Sequence, residues 1–122
     1  MAQASQDCGR LLFTDPTVIT GLVCHTELAI RSSIGFFVFA PPGEDERSIR
    51  EAGFQLMTRE DITQNMLSVS KRWHDARLAH KDELVKMEGN QNFEGLQRFF
   101  LTVHSLAAEH RLSRFLFVAV KS

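Results

Sequence analysis

Asp15 lies at the carboxyl end of a predicted strand, where a ligand could bind. Asp15 directly follows the apolar run Arg10-Leu11-Leu12-Phe13-Thr14. Open α/β sheets place their ligand crevices beyond the carboxyl ends of strands, so Asp15 could face a substrate. Because an Asp before a Pro is also an ordinary turn former, the favoured interpretation of Asp15 is structural.

Two histidines and the single tryptophan form a second group. Trp73 and His80 fall on the same predicted helical stripe, whereas His74 points elsewhere. A histidine in a pocket could act as a general base near neutral pH, and Asp15 with His74 or His80 would make an acid/base pair. A core or surface role is favoured for both histidines, and a core role for Trp73.

A cysteine and several histidines could also form a reactive or metal-binding site. Cys24-His25 with His104 or His110 could hold a metal ion or form a thiolate pair. No local ligand spacing supports either chemistry, and the separation of Cys8 from Cys24 matches no common zinc or redox spacing. We therefore expect no metal site and free thiols in a reducing, cytosolic setting.

A nucleotide-type cofactor site is missing from the sequence. The seven glycines are never two residues apart, so there is no Gly-x-Gly loop, and there is no Gly-Lys-Ser/Thr phosphate loop. We expect no cofactor to be bound by this chain alone.

Composition restricts the class of protein. The 122 residues are 43% hydrophobic and 24% charged, with 14 Lys+Arg against 15 Asp+Glu. This balance predicts one globular domain and argues against extended disorder or a basic nucleic-acid module. The longest apolar run, residues 36–42, is far shorter than the roughly 20 residues that cross a bilayer, and no secretory signal is visible. We expect a cytoplasmic protein that binds neither nucleic acid nor membrane.

The first half of the chain predicts two short strands and a helix. Residues 10–14 are typical of a strand buried on both faces that ends at Pro16. The secondary structure of residues 17–42 is not decided by periodicity. Residues 27–31 could be a helical turn, and residues 34–40 resemble a strand in composition. A helix over 44–52, ended by Gly53, precedes a strand over 54–57.

The second half predicts two long amphipathic helices and a buried strand. Thr58 and Asp61 resemble a capping box that starts the first helix. Its apolar stripe advances by three or four residues: Ile62, Met66, Val69, Trp73, Ala76, His80, Leu84 and Met87. A second helix, from Phe93 to His110, should pack antiparallel to it, and residues 115–120 are typical of a central strand. The order of elements indicates an α/β layer structure.

Four segments carry a resemblance to a known family. Residues 8–16, in which only Gly9 remains of the usual Pro-Gly-Gly turn, resemble the family's fifth strand, and residues 48–54, with an Ala-Gly-Phe step, resemble the helix before its sixth strand. The acidic-x-Thr segment 60–63 resembles the segment after the sixth strand, and residues 113–121 resemble the seventh strand. The family is the class I S-adenosylmethionine-dependent methyltransferases of the small-molecule type. The carboxyl-terminal half of that family is the part concerned.

The resemblance implies a fold and an acceptor pocket. The fold is a small three-stranded mixed sheet, with the last strand central and antiparallel, under a cap of two long helices. It implies a single domain over 1–122, made of a strand/helix/strand part (9–60), a helical cap (61–110) and a closing strand (113–121). The expected substrate-binding residues are Asp15, Phe36, Phe39, Met66, Trp73 and His80, and no catalytic residue is carried over.

The family's donor-binding half has no counterpart in these residues. S-adenosylmethionine is the family's cofactor, and the chain alone is not expected to transfer a methyl group. We expect a homodimer formed through the edge of strand 10–14 or an apolar helix face, and a small apolar ligand is possible. The alternative is a non-enzymatic homodimeric module that binds small ligands or another protein.

Overall fold

The computed structural model describes residues 9–35 and 37–121, and within them it contains three strands and five helices. In chain order these are β1 (Arg10–Ile19), α1 (His25–Arg31), α2 (Glu44–Glu51), β2 (Phe54–Asp61), α3 (Thr63–Ala79), α4 (Lys81–Glu88), α5 (Asn90–Ala108) and β3 (Leu112–Lys121).

The last strand lies in the middle of the sheet. The order is β1-β3-β2, and β3 pairs antiparallel with both neighbours. The outer strands therefore run in the same direction without pairing, which confirms the predicted arrangement. Along β3, Phe115, Phe117 and Ala119 are buried on one face, and the intervening residues lie on the other face because side chains alternate along a strand.

Strand β1 continues through Pro16 instead of ending there. Its register against β3 shifts between Asp15 and Val18, which marks a bulge. A bulge on an edge strand tolerates proline because no ladder donor is needed at that position. The prediction of burial on both faces is wrong as well, since the Leu12 side chain is 65% exposed.

The segment 17–42, whose secondary structure the sequence left undecided, contains one helix, α1, followed by irregular structure in its described residues. The helical turn at residues 27–31 is confirmed as part of α1. The strand-like composition of 34–40 does not produce a strand among its described residues, where Ala40 alone forms a parallel bridge with Val18. Phe36 lies outside the described residues.

The capping-box prediction at Thr58 is wrong. Thr58 pairs with Val118 inside β2, so ladder formation with β3 overrides the local capping signal. Helix α3 begins at Thr63, whose backbone N–H and hydroxyl donate to Asp61 Oδ1 at 2.9 and 2.5 Å. The acid of the predicted box thus accepts two hydrogen bonds from the first residue of the helix.

The first long helix is divided at His80 into α3 and α4. Arg77 donates two hydrogen bonds to the Glu88 carboxylate, at 2.8 and 3.0 Å. An unbroken helix would separate their Cα atoms by about 16 Å, beyond the reach of this pair. Arg77 also donates to Gln97 Oε1 on α5 at 3.0 Å, so the break lets one guanidinium join three helices.

Helices α3 and α5 are antiparallel, as predicted. Near the start of α3, the Leu67 carbonyl lies 3.2 Å from His104 Nδ1 near the end of α5. Near the end of α3, the His74 carbonyl accepts from Gln97 Nε2 at 3.1 Å.

The hydrophobic core consists of two clusters of buried residues. One packs α2 against the sheet and contains Val18, Ile49, Phe54, Phe115, Phe117 and Ala119. The other packs α3 and α5 against the start of β3 and contains Met66, Phe99, Val103, Leu106, Ala107 and Leu112. Three residues of this second part, Met66, Phe99 and Val103, also line a cleft.

We predict that Leu106→Ala lowers the free energy of unfolding by about 2–5 kcal/mol, because Leu106 is fully buried and its removal leaves a cavity. Leu101→Ala on the same helix is the control, since Leu101 is 53% exposed and its loss should cost less than about 1 kcal/mol. Urea denaturation measures both. Equal effects of the two substitutions would contradict the placement of α5.

Candidate functional site

A cleft of about 170 Å³ opens where the helices meet the end of the sheet. Residues from α1, α3, α5, β1 and β3 line it. They are Pro16, Arg31, Met66, Val69, Ser70, Phe99, Phe100, Val103 and Arg114. The lining is apolar apart from a serine and two arginines, and it includes no acidic residue.

Arg31, the last residue of α1, is a buried cation in the cleft wall. Its side chain is 5% exposed, and its guanidinium carbon lies 4.4 Å from the Phe37 ring centre and 5.3 Å from that of Phe99. Its Nε and Nη1 atoms are buried and have no hydrogen-bond partner among the described residues. Burial lowers the pKa of Arg31, yet a guanidinium stays charged in proteins. The wall therefore holds a positive charge that has no anionic partner within residues 9–35 and 37–121.

Arg114 brings a second guanidinium to the cleft. It donates to Asn65 Oδ1 and to Thr14 Oγ1, both at 3.2 Å, while its Nε is buried without a partner in the described chain. Its backbone N–H donates to Thr63 Oγ1 at 3.0 Å. These bonds fix Arg114 between β1, β3 and the start of α3.

An aromatic pair borders the apolar side of the cleft. Phe100 lines it, and Trp73 stacks on Phe100 with ring centres 5.9 Å apart and planes 10° apart. The Ser70 hydroxyl already donates to the Leu67 carbonyl at 3.1 Å. The arrangement suits a small molecule with an apolar body and a negatively charged group.

Three of the predicted substrate-binding residues lie at or near this region. Met66 lines the cleft and is 6% exposed. Trp73 reaches it through Phe100, and its own side chain is 56% exposed. Phe39 is partly buried against the second part of the core. Their role in binding stays a prediction.

The other three lie elsewhere or are not described. His80 is exposed at the break between α3 and α4, and Phe36 lies outside the described residues. Asp15 is absent from the cleft lining and bonds with Thr17 in the β1 bulge instead. His74 contacts Asp75 at 3.2 Å, so Asp15 and His74 have separate partners.

Asp15 forms a carboxyl pair with Asp45 of α2. Asp15 Oδ1 accepts from the Thr17 backbone N–H at 2.8 Å and from its hydroxyl at 2.7 Å. Burial and then the hydrogen bond and charge of Asp15, with the charges of Glu46 and Glu44, raise the pKa of Asp45 to about 7. Burial opposes ionisation of Asp15 too, but hydrogen bonds from Asp45 and Thr17 lower its pKa. Two carboxyls whose pKa values are displaced in this way hold one proton between them when the pH lies between those two values.

Metal-binding and membrane-spanning features are absent from the part of the chain that the structure describes. No group of three or more His, Cys, Asp or Glu residues there could hold a metal ion. No described helix is long and apolar enough to cross a bilayer. Cys24 is exposed and not in a disulfide.

Sequence reasoning missed both arginines of the cleft. Arg31 ends a short helix, a position where a cation is ordinarily explained by the helix dipole and by solvent. Its burial comes from Phe37 and Phe99, which are respectively 6 and 68 residues further along the chain. No local pattern in the sequence carries that information.

Comparisons with known proteins give matches among solved structures. No protein-family model matches the chain, and no curated protein matches it significantly. Phosphoethanolamine N-methyltransferase 2 of Haemonchus contortus, solved with phosphomonomethylethanolamine and S-adenosylhomocysteine, matches with a TM-score of 0.79 and 17% identity, over 93% of this chain and 26% of that one.

Two cyclopropane synthases match similarly. MmaA2 of Mycobacterium tuberculosis has a TM-score of 0.79 and 19% identity, over 93% of this chain and 45% of its own. The mycolic acid cyclopropane synthase CmaA1, solved with S-adenosylhomocysteine and CTAB, has a TM-score of 0.82 and 13% identity, over 94% and 45%. The chain thus has the fold of part of the S-adenosylmethionine-dependent methyltransferases, which confirms the resemblance, and it spans less than half the length of these matched chains.

We predict that Asp45→Asn changes how stability depends on pH. The pKa of Asp45 rises from 3.8 unfolded to about 7 folded, so its contribution is fully present below about pH 4 and is lost as the pH rises to 7. The lowered pKa of Asp15 acts in the opposite direction and only near and below its unfolded value. The amide variant should lack the loss between pH 4 and 7 and be more stable at pH 8, by on the order of 1 kcal/mol after solvent screening.

Thermal unfolding between pH 4 and pH 8 measures this dependence. Asp82→Asn is the control, because Asp82 is an exposed acid in the first turn of α4. A pH profile of the Asp45 variant that is parallel to that of the unsubstituted chain would show that the carboxyl pair does not share a proton.

Proposed function

We propose that this chain is the acceptor-binding part of an S-adenosylmethionine-dependent small-molecule methyltransferase and does not transfer a methyl group by itself. The observation that carries the proposal is the cleft beneath α3 and α5, in a chain whose fold matches methyltransferase structures over 93–94% of its length. A non-enzymatic module is not favoured by these matches.

The cleft does not fit the methyl donor. The adenosyl group of S-adenosylmethionine is large for a space of about 170 Å³, and the cleft lining has no acidic residue to pair with the donor's sulfonium or amino group. The chain also lacks a Gly-x-Gly loop. In this proposal the donor is held by residues outside these 122, and the cleft holds and orients the acceptor against it. The free thiol of Cys24 suits a cytoplasmic location.

Titration calorimetry with S-adenosylhomocysteine tests the proposal. We expect no measurable heat of binding at ligand concentrations up to about 1 mM, which is the weak end of ordinary affinities. We also expect no transfer of label from S-adenosylmethionine to any acceptor by the isolated chain. Micromolar binding of S-adenosylhomocysteine would contradict the division of labour proposed here.

We further propose that a second copy of the chain covers the outer side of β1. Strand β1 pairs with β3 alone among the described strands, and Leu12 exposes 65% of its side chain there. Ala40 bridges this edge only at Val18, so the part of the edge near Leu12 favours strand pairing between molecules.

We predict that Leu12→Lys converts a dimer into a monomer, because a charge at this edge opposes pairing. Light scattering of the purified chain measures the mass. Leu22→Lys is the control, since Leu22 is 89% exposed and lies outside the sheet. A monomeric unsubstituted chain, or a dimer that persists in the Leu12 variant, would exclude this interface.

A further inference from the structure

We propose that Arg31 binds the anionic group, a phosphate or a carboxylate, of a small ligand whose remaining part is apolar. The proposal rests on the proposed function only in taking that ligand to be the acceptor. The anion subsite itself follows from the cleft.

The positive charge of Arg31 has no anionic partner among the described residues. Arg31 is 5% exposed, and two of its guanidinium nitrogens are buried without a hydrogen-bond partner in the described chain. The Phe37 and Phe99 rings lie against its guanidinium, and such contacts attract a cation without accepting its in-plane N–H bonds. A buried charge is ordinarily paired or hydrogen-bonded because its desolvation is costly. An anion in the cleft would complete the missing interactions.

The donor geometry of the two arginines also fits an anion. A guanidinium presents its N–H groups as a planar fork that matches the two oxygens of a carboxylate or phosphate. Arg114 lines the same cleft and has an unpartnered buried Nε. Its other nitrogens are fixed by Asn65 and Thr14, so it adds positive potential from a defined position.

The apolar wall of the cleft limits the rest of the ligand. Met66, Val69, Phe99, Phe100 and Val103 form the apolar wall around about 170 Å³. An apolar cavity of roughly 150 Å³ is enough for a benzene ring. The ligand class is therefore a monoanion or dianion that carries one ring or a short alkyl chain.

The test uses three probes with the same ring and the intact 122-residue chain: phenyl phosphate, phenylacetate and benzyl alcohol. Binding is followed by the fluorescence of Trp73, the single tryptophan, which stacks on Phe100 of the cleft, and by the melting temperature. We expect at least one anion to bind about tenfold or more tightly than the alcohol, since a hydrogen bond to a charged group is worth that much. The tighter anion identifies whether phosphate or carboxylate is preferred.

Variants separate recognition from stability. Arg31→Met should abolish the preference for the anion while leaving the unliganded chain at least as stable, because it removes an unpaired buried charge and keeps apolar contacts. If the Met variant does not fold, Arg31→Lys takes its place. It keeps the charge without the planar fork and should lose most of the preference for the anion. Arg98→Met, an exposed arginine next to Phe99, is the control and should bind as the unsubstituted chain does.

Each outcome decides the proposal. An anion preference that survives in Arg31→Met, or the absence of binding by all three probes, overturns it. Tight binding of benzyl alcohol equal to that of both anions overturns the anion subsite and leaves the acceptor cleft in place. Binding of S-adenosylhomocysteine by the isolated chain would overturn the proposed function and leave the anion subsite standing.

Discussion

Strand β3 is hydrogen-bonded on both sides, and the other elements take their positions from it. Its residues Phe115, Phe117 and Ala119 anchor the part of the core under α2, and its first residue, Leu112, lies in the part under α3 and α5. The start of α3 is tied to β3 through the Arg114 backbone: its carbonyl accepts from the Ile62 N–H at 2.8 Å, and its N–H donates to the Thr63 hydroxyl. The residue that joins helix to sheet is thus also one that lines the cleft.

The β1 bulge separates two electrostatic environments. Pro16 lines the cleft, where both ionisable side chains are arginines. Asp15 and Thr17, on either side of Pro16, belong to the hydrogen-bonded group that includes Asp45. Asp15 and Asp45 have these partners, and neither of them lines the cleft. The apolar cleft with its two arginines and the carboxyl pair are therefore separate sites, although neighbouring residues of β1 contribute to each.

Periodicity and composition located most elements, and long-range pairing decided the rest. The stripe of α5 and the apolar run of β3 are strong local signals, and the central place of β3 followed from the family resemblance. Thr58 carried a genuine capping signal that pairing with β3 overrode. The break at His80 brings Arg77 within hydrogen-bond distance of Glu88 and Gln97, and the stripe of apolar residues does not indicate this break. Arg31 is the clearest case, since its importance lies in its burial by residues from two other segments.

We expect the cleft beneath α3 and α5 to receive a small apolar anion. Amide chemical-shift mapping tests this, with phenyl phosphate and phenylacetate titrated separately into the isotope-labelled chain. The shifts should be saturable and cluster at Arg31, Ser70, Phe99 and Val103, which lie around the cleft, and the region of Asp45 should be unaffected. Shifts that cluster on another surface, or none with either probe, would contradict it.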